Sequence, residues 1–305
     1  MTKCINAPLR VALIGCVASS QVALRTLLDI DGSRVQLVGV ITRRGSSFNS
    51  DYFDLASTAR EHNIPVLYGE DLQTDAQQAD WLRKLQVELV FTIGWSRLLR
   101  SDILSVPSRG VIGFHPAALP ANRGRHPLVW ALALGLTETA SSFFLMGPGT
   151  DDGPIVSQYE VPITVTDNAK TLYEKISALI PYQITEILDG FLDGTLIPAP
   201  QQESGANYWR KRGINDGQID WRMGAMGIYN LVRALSKPYP GAHFMVNEQI
   251  VKVWRCAIEL SSFNNLEPGK VLRVEGREVV IKTGDRAIRL LEHEFIDLPL
   301  VGDYL

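Results

Sequence analysis

Short apolar runs alternate with helix-spaced apolar positions through the first part of the chain. Residues 10–16, Arg-Val-Ala-Leu-Ile-Gly-Cys, form a compact apolar run ending at Gly15 and Cys16, the pattern of a parallel strand buried on both faces. Residues 17–20 then open a helix with Val22, Leu24, Leu27 and Leu28 on its inner side and a hydroxyl near its start. Residues 35–42 read as a second strand, and 43–51, Arg-Arg-Gly-Ser-Ser-Phe-Asn-Ser-Asp, as a polar loop. A helix at 55–62, a short strand at 65–68, a helix at 76–85 and a buried strand at 88–94 follow. Residues 110–114 form the strand that delivers His115; a helix from Leu128 and a further apolar strand at 143–146 come next. Strands alternating with helices in this way predict an α/β fold with a doubly wound, mostly parallel sheet.

Residues 161–189 carry Leu172, Ile176, Leu179, Ile184, Ile187 and Leu188 at helical spacing, which predicts one long amphipathic helix capped by Thr166 or Asp167. The density of Gly, Pro, Gln and Ser then rises, notably at Pro198-Ala-Pro-Gln-Gln. The expected organisation is therefore a larger domain at 1–190, a linker at 191–206 and a smaller C-terminal domain at 207–305. In that last part a helix at 225–236 precedes short alternating segments at 243–246, 250–255, 269–274, 278–283 and 287–291. Turn signals at Asn247-Glu248, Glu275-Gly276 and Gly284-Asp285 separate them, the pattern of a small β-barrel-like domain.

Charge and cysteine usage narrow the function classes. Thirty basic residues against 33 acidic ones leave a net charge of −3, which disfavours a nucleic-acid partner. Cys4, Cys16 and Cys256 are scattered and odd in number, so neither a disulfide framework nor a metal site is expected, and Cys16 reads as a small buried thiol. Residues 1–9 lack the apolar core of a secretory leader, and no apolar run is long enough to span a bilayer. A cytoplasmic protein without membrane contact is the expectation. Gly15 stands alone where a dinucleotide fingerprint needs three glycines, which argues against a nicotinamide-dependent dehydrogenase.

The chemistry concentrates between Gly110 and Ile155. There the chain reads Gly-Phe-His-Pro-Ala-Ala-Leu-Pro-Ala-Asn-Arg-Gly from Gly113, and later Asp151-Asp152-Gly153. This segment resembles the formyltransferase family that uses N10-formyltetrahydrofolate, whose pattern is Asn-x-His-x-Ser-Leu-Leu-Pro-x-x-Arg-Gly followed by Asp-x-Gly. His115, Leu119-Pro120, Arg123-Gly124, Asp151 and Gly153 match. The family Asn is replaced by Gly113. The resemblance implies a Rossmann-like formyltransferase core, N10-formyltetrahydrofolate as formyl donor, and His115 and Asp151 as catalytic residues at neighbouring strand ends. It also implies that the stretch after the fourth long strand, with Trp95, Arg97, Leu98 and Leu99, together with Asp151, holds the folate.

Formyl transfer to an amine needs a neutral nucleophile, a stabilised oxyanion and removal of a proton from nitrogen. A His oriented by a carboxylate can do the proton work. With Gly113 in place of Asn, the oxyanion must be stabilised by His115, a main-chain N–H, a water or another side chain. Asn122, beyond the Leu-Pro turn, is not assigned that role.

For the acceptor, the expected contacts are Ser19 and Ser20 at the first helix N-terminus, Arg43, Ser46, Ser47 and Asn49 in the polar loop, and Arg123. Tyr208, Arg210, Lys211 and Arg212 join them, since successive cations beside aromatics suit a diphosphate and a base. Within the family, the extra C-terminal residues argue against the single-domain purine-precursor branch, and the loop at 46–51 looks more like the sugar branch. The reading is an N-formyltransferase acting on a nucleotide-linked (dTDP or UDP) amino-deoxy sugar. A methionyl-tRNA formyltransferase and a catalytically silent folate or nucleotide-sugar binder are the alternatives. A homodimer is an expectation that rests only on the β-rich C-terminal domain.

Overall fold

The computed structural model describes residues 7–45, 50–71, 74–259 and 265–305. The chain forms two compact units. One comprises Met1–Gly124, Ala140–Val161 and Lys175–Tyr208; the other comprises Arg125–Thr139, Pro162–Glu174 and Trp209–Leu305.

The elements run in the order β1 (Leu9–Gly15), α1 (Ala18–Asp29), β2 (Val35–Thr42), α2 (Ala56–Glu61), β3 (Val66–Tyr68), α3 (Asp75–Lys84), β4 (Leu89–Ile93), α4 (Ser101–Leu104), β5 (Val111–His115) and β6 (Arg123–Gly124). After these come α5 (Pro127–Ala133), β7 (Glu138–Leu145), β8 (Ile155–Pro162), α6 (Ala169–Ser177), α7 (Ile180–Asp193) and the two-residue β9 (Tyr208–Trp209).

A seven-stranded sheet in the order β3-β2-β1-β4-β5-β7-β8 is the frame of the first unit. β1 lies parallel to β2 and β4, and β4 parallel to β5. The period of two along β1 sends Leu9, Val11 and Leu13 to one face, where they meet Leu24 and Leu27 of α1 and Ile180, Ile184 and Ile187 of α7. Ala12 and Ile14 go to the other face, against Ala79 and Leu82 of α3 and Ile103 of α4. Both faces of the sheet are covered, which is why β1 and β4 read as nearly continuous apolar runs.

Three expectations change. β7 is antiparallel to β5, with Gly113 opposite Phe144 and His115 opposite Ser142. Asp151 therefore sits not at a carboxyl end matching that of β5 but in the turn between β7 and β8. The single helix expected within 161–189 is two, α6 and α7. Pro181 lies in the first turn of α7, where its missing N–H costs nothing, and so marks a helix start. The cap of α6 is Asn168, whose Oδ1 accepts from the N–H groups of Lys170 and Thr171. α7 itself passes through Gly190 and stops at Gly194, whose φ of 69° is left-handed.

In the second unit, α8 (Ala225–Ala234) precedes β10 (Ala242–Val246), β11 (Gln249–Glu259), β12 (Val271–Glu275), β13 (Glu278–Lys282) and β14 (Ala287–His293). The five strands form an antiparallel sheet in the order β10-β11-β14-β13-β12. Arg233 of α8 is buried and donates to the main-chain oxygens of Thr164 at 2.8 Å and Asp167 at 3.1 Å, tying the 162–174 segment to the helix. Cys256 is buried in β11, and burial pushes its thiol up to about 12. Among the described residues no helix is long and apolar enough to cross a membrane, and no group of three or more His, Cys, Asp or Glu side chains could hold a metal ion.

Candidate active site

β5 carries His115 out of the sheet core with only 5% of the residue exposed. Its Nε2 lies 2.7 Å from the main-chain oxygen of Asn122. A carbonyl oxygen only accepts, so Nε2 carries the hydrogen, and in the neutral ring Nδ1 keeps its lone pair. Nδ1 lies 3.6 Å from Oδ2 of Asp151, long for a direct hydrogen bond.

Asp151 has a φ of 54°, a left-handed conformation that Asp tolerates better than most residues. Its Oδ2 accepts the N–H of Gly124 at 2.8 Å, and the φ of 103° at that position accounts for the glycine of the Arg-Gly step. Gly153 is required for a different reason: a Cβ there would come within 1.7 Å of the main-chain oxygen of Leu145, so the β7–β8 turn closes only around a glycine.

Gly113 has a packing explanation. A Cβ on it would lie 2.8 Å from Cζ of Phe144 and 2.9 Å from Cγ of Met146. The room an Asn side chain would need is filled by two apolar side chains of the neighbouring segment. Gly113 is thus matched to its surroundings, and no side-chain donor can stand there without repacking.

The remaining expected residues separate into groups. Ser20 is fully buried; its hydroxyl donates to the main-chain oxygen of Ile93 at 2.6 Å and accepts from the N–H of Val17 at 3.2 Å. Ser19 is buried as well. At the start of α1 the N–H of Ala18 donates to the oxygen of Asp51, and Phe53 donates to the oxygen of Cys16. Arg123 is also not a surface contact. It is completely buried, with Nε and Nη2 on Gln201 Oε1 and Nη1 on Glu203 and on the Tyr208 hydroxyl. Tyr208 keeps an exposed ring while its hydroxyl accepts from Arg123.

At the carboxyl end of β4, Trp95 packs against Gly69 and under the Arg43 guanidinium, 5.2 Å from its ring centre. Leu99 belongs to the core, whereas Leu98 is 68% exposed. Among the described residues the main-chain groups of Arg97 and Leu98 have no main-chain partner. Ser46, Ser47 and Asn49 lie outside the described residues.

In the second unit Arg210 and Arg212 stand over the ring of Trp130, at 5.2 and 4.4 Å from its centre. Trp130 Nε1 donates to the oxygen of Arg210. The Asp216 carboxylate takes both guanidinium ends of Arg210 and the N–H of Gly213, and these hold its carboxyl well below the usual range. His126 is half-buried beside them. Burial, then the cations Arg125, Arg212 and Lys211, push its pKa down, with Asp216 opposing. Lys211 is exposed. Sequence reasoning named the three cations but missed Trp130 and Asp216 as their partners, and missed Asn122, Gln201 and Glu203 in the first unit. Trp130, Gln201 and Glu203 carry no local signal, because each acts on a residue far away in the chain, whereas Asp216 and Asn122 lie six and seven residues from Arg210 and His115.

Comparison with known proteins places this geometry. A formyl transferase profile matches residues 10–186, and a formyl transferase C-terminal domain profile matches residues 214–297. The methionyl-tRNA formyltransferase of Caldanaerobacter subterraneus subsp. tengcongensis is 28% identical over 288 residues, 93% of this chain and 91% of that protein. Two solved structures share the fold. The N-formyltransferase from Helicobacter canadensis, in complex with folinic acid and dTDP-3-aminofucose, has a TM-score of 0.69 at 18% identity, covering 92% of this chain and 98% of that one. HypX from Aquifex aeolicus in complex with tetrahydrofolic acid has a TM-score of 0.64 at 17% identity over 93% of this chain; the chain spans 44% of HypX. With the profile covering more than half its length and its His, Arg-Gly and Asp-x-Gly elements gathered around one carboxylate, this chain belongs to the formyl transferase family, enzymes that use N10-formyltetrahydrofolate as formyl donor.

Proposed function

We propose that the protein is an N-formyltransferase whose acceptor is the amine of a nucleotide-linked amino-deoxy sugar, with dTDP or UDP as the carrier. The observation that carries the acceptor class is the disposition of charge. With a net charge of −3, arginines across the described surface are paired with carboxylates: Arg34 with Asp189, Arg44 with Asp71, Arg83 with Asp80, Arg222 with Asp220, and Arg273 with Glu259. A polynucleotide backbone demands many unneutralised cations, whereas a diphosphate needs two or three. Arg212 over Trp130 supplies a cation and a stacking face together, with Arg210, held by Asp216, and Lys211 next to it in the chain.

Trp95, Arg97 and Leu98 suit the folate, because an apolar side chain lies exposed there beside unpaired main-chain groups able to bond the edge of a heteroaromatic ring. When bound, N10-formyltetrahydrofolate supplies the formyl carbon. His115 offers Nδ1 as the proton acceptor for the attacking amine, with Nε2–H anchored on Asn122. Asp151, fixed by Gly124, stands beside the positive charge that the ring then gains and stabilises it.

The test is a mass-spectrometric assay with N10-formyltetrahydrofolate and a panel of dTDP- and UDP-linked 3-amino and 4-amino sugars, beside a methionyl-tRNA arm. Addition of one formyl group to a sugar, lost in His115→Ala, supports the reading. Formylation of the aminoacyl-tRNA alone replaces it with the tRNA reading, and folate binding without transfer to any acceptor replaces it with that of a silent binder.

A further inference from the structure

We propose that Gln201 is a positioning residue for Asp151, clamping the 151–153 turn through two main-chain hydrogen bonds while Arg123 fixes Gln201 from behind. The inference rests on the reading of His115 and Asp151 as the proton-handling pair. Gln201 lies between the two stretches that the family profiles match, in the segment whose composition reads as a linker.

Its side-chain amide is fully used. Nε2 donates to the oxygen of Asp151 at 2.8 Å and to that of Gly153 at 2.7 Å. Oε1 accepts from Arg123 Nε at 3.1 Å and Nη2 at 2.9 Å. The amide orientation follows from its partners. Turned over, it would face two guanidinium donors with an NH2 group and two carbonyls with an oxygen. The segment is also anchored to the unit that holds the site: Ala199 and Ile155 exchange both main-chain hydrogen bonds at 2.8 Å.

Asp151 is thereby held at both ends. Gln201 takes its main-chain oxygen, the Gly124 N–H takes its carboxylate, and the left-handed φ of 54° is maintained between the two. The carboxylate stands 3.6 Å from His115 Nδ1 because of this clamp. Arg123, expected to contact substrate, instead orients the residue that orients Asp151. Its burial and its additional bonds to Glu203 and Tyr208 leave it no freedom to do otherwise.

The decisive variant is Gln201→Glu. It keeps the shape of the side chain and an oxygen for Arg123, and it replaces the two donors facing Asp151 and Gly153 with an acceptor. A displaced turn predicts kcat reduced by about 10- to 100-fold, with KM for donor and acceptor within about twofold. It also predicts a specific signature measurable without any substrate. The Gly124 amide, now donating to Asp151, shifts upfield and exchanges with deuterium at least about tenfold faster, while the Leu13 and Phe91 amides of the sheet core keep their protection. Gln201→Met, uncharged and of similar length, should give both readings without a new charge, and Ile187→Val serves as a core variant with wild-type kcat. Wild-type kcat and unchanged Gly124 exchange in both Gln201 variants overturn the proposal, as does loss of protection throughout the sheet. Should the wild-type protein formylate none of the amino sugars, the acceptor reading fails on that result. The Gly124 exchange comparison then decides the role of Gln201 by itself.

Discussion

His115 bonds the main-chain oxygen of Asn122 through Nε2 at 2.7 Å, and that contact determines which ring nitrogen meets Asp151. The bond fixes the tautomer, so the nitrogen available to take a proton is the one beside the carboxylate. Everything that holds Asn122 and Asp151 in place consequently bears on the chemistry. Asn122 is anchored by its own N–H on Asn207 Oδ1 at 2.7 Å, and Asp151 by Gly124.

Replacing Asp151 with Asn should separate chemistry from folding. Asn accepts the left-handed conformation as readily as Asp and can still receive the Gly124 N–H, so the thermal midpoint should stay at the wild-type value. The charge that stabilises the protonated ring is lost. We expect kcat to fall by about 10²- to 10⁴-fold with little change in KM, measured by steady-state formyl transfer. A loss smaller than tenfold would remove Asp151 from the reaction.

Restoring the family Asn at position 113 should harm the protein rather than improve it. Phe144 and Met146 already occupy the space, and overpacking of this kind costs about 1–3 kcal/mol. Gly113→Asn should lower stability to urea by that amount without raising kcat, and Met146→Ala in the same chain should recover part of the loss. A Gly113→Asn variant of wild-type stability and higher activity would show that the pocket adapts.

Arg212 offers a planar guanidinium over Trp130, which an ammonium cannot imitate. Arg212→Lys should raise KM for the nucleotide sugar about tenfold, equivalent to about 1.4 kcal/mol, with kcat unchanged. Unchanged KM would place the diphosphate elsewhere.

Acid should weaken the turn around Asp216 in a defined window. Arg210 and the Gly213 N–H lower the carboxyl pKa in the folded state, so its stabilisation is fully present above the ordinary value of 3.8 and is lost as pH falls from there through the depressed value. The stability difference between wild type and Asp216→Asn should be constant from pH 7 to 5 and shrink below 3.8. Urea titrations across that range measure it; a difference that grows on acidification would reverse the assignment.

Much of the second unit was legible because its signals are local. Turn pairs such as Asn247-Glu248 and Glu275-Gly276 separate strands whose observed limits differ from the expected ones by a few residues at most. The single helix expected within 161–189 is divided in two for a reason that was present in the sequence: Pro181 starts a helix as easily as it breaks one, and apolar spacing alone carried the reading across it.

The sequence by itself determined the alternation of buried strands and amphipathic helices, and it brought His115, the Arg-Gly step and Asp-x-Gly forward as the chemical centre. These are properties of neighbouring residues, written in periods of two and 3.6 and in glycines that the backbone requires. Tertiary structure alone decided that β7 runs against β5, that Phe144 and Met146 fill the place beside Gly113, and that Arg123 is buried. It also decided that Gln201 reaches Asp151, 50 residues earlier in the chain. Such contacts depend on which surfaces meet after the sheet has formed. Residues so far apart share no local pattern, and a buried Arg with five donors looks the same in a sequence as one that waits for a phosphate.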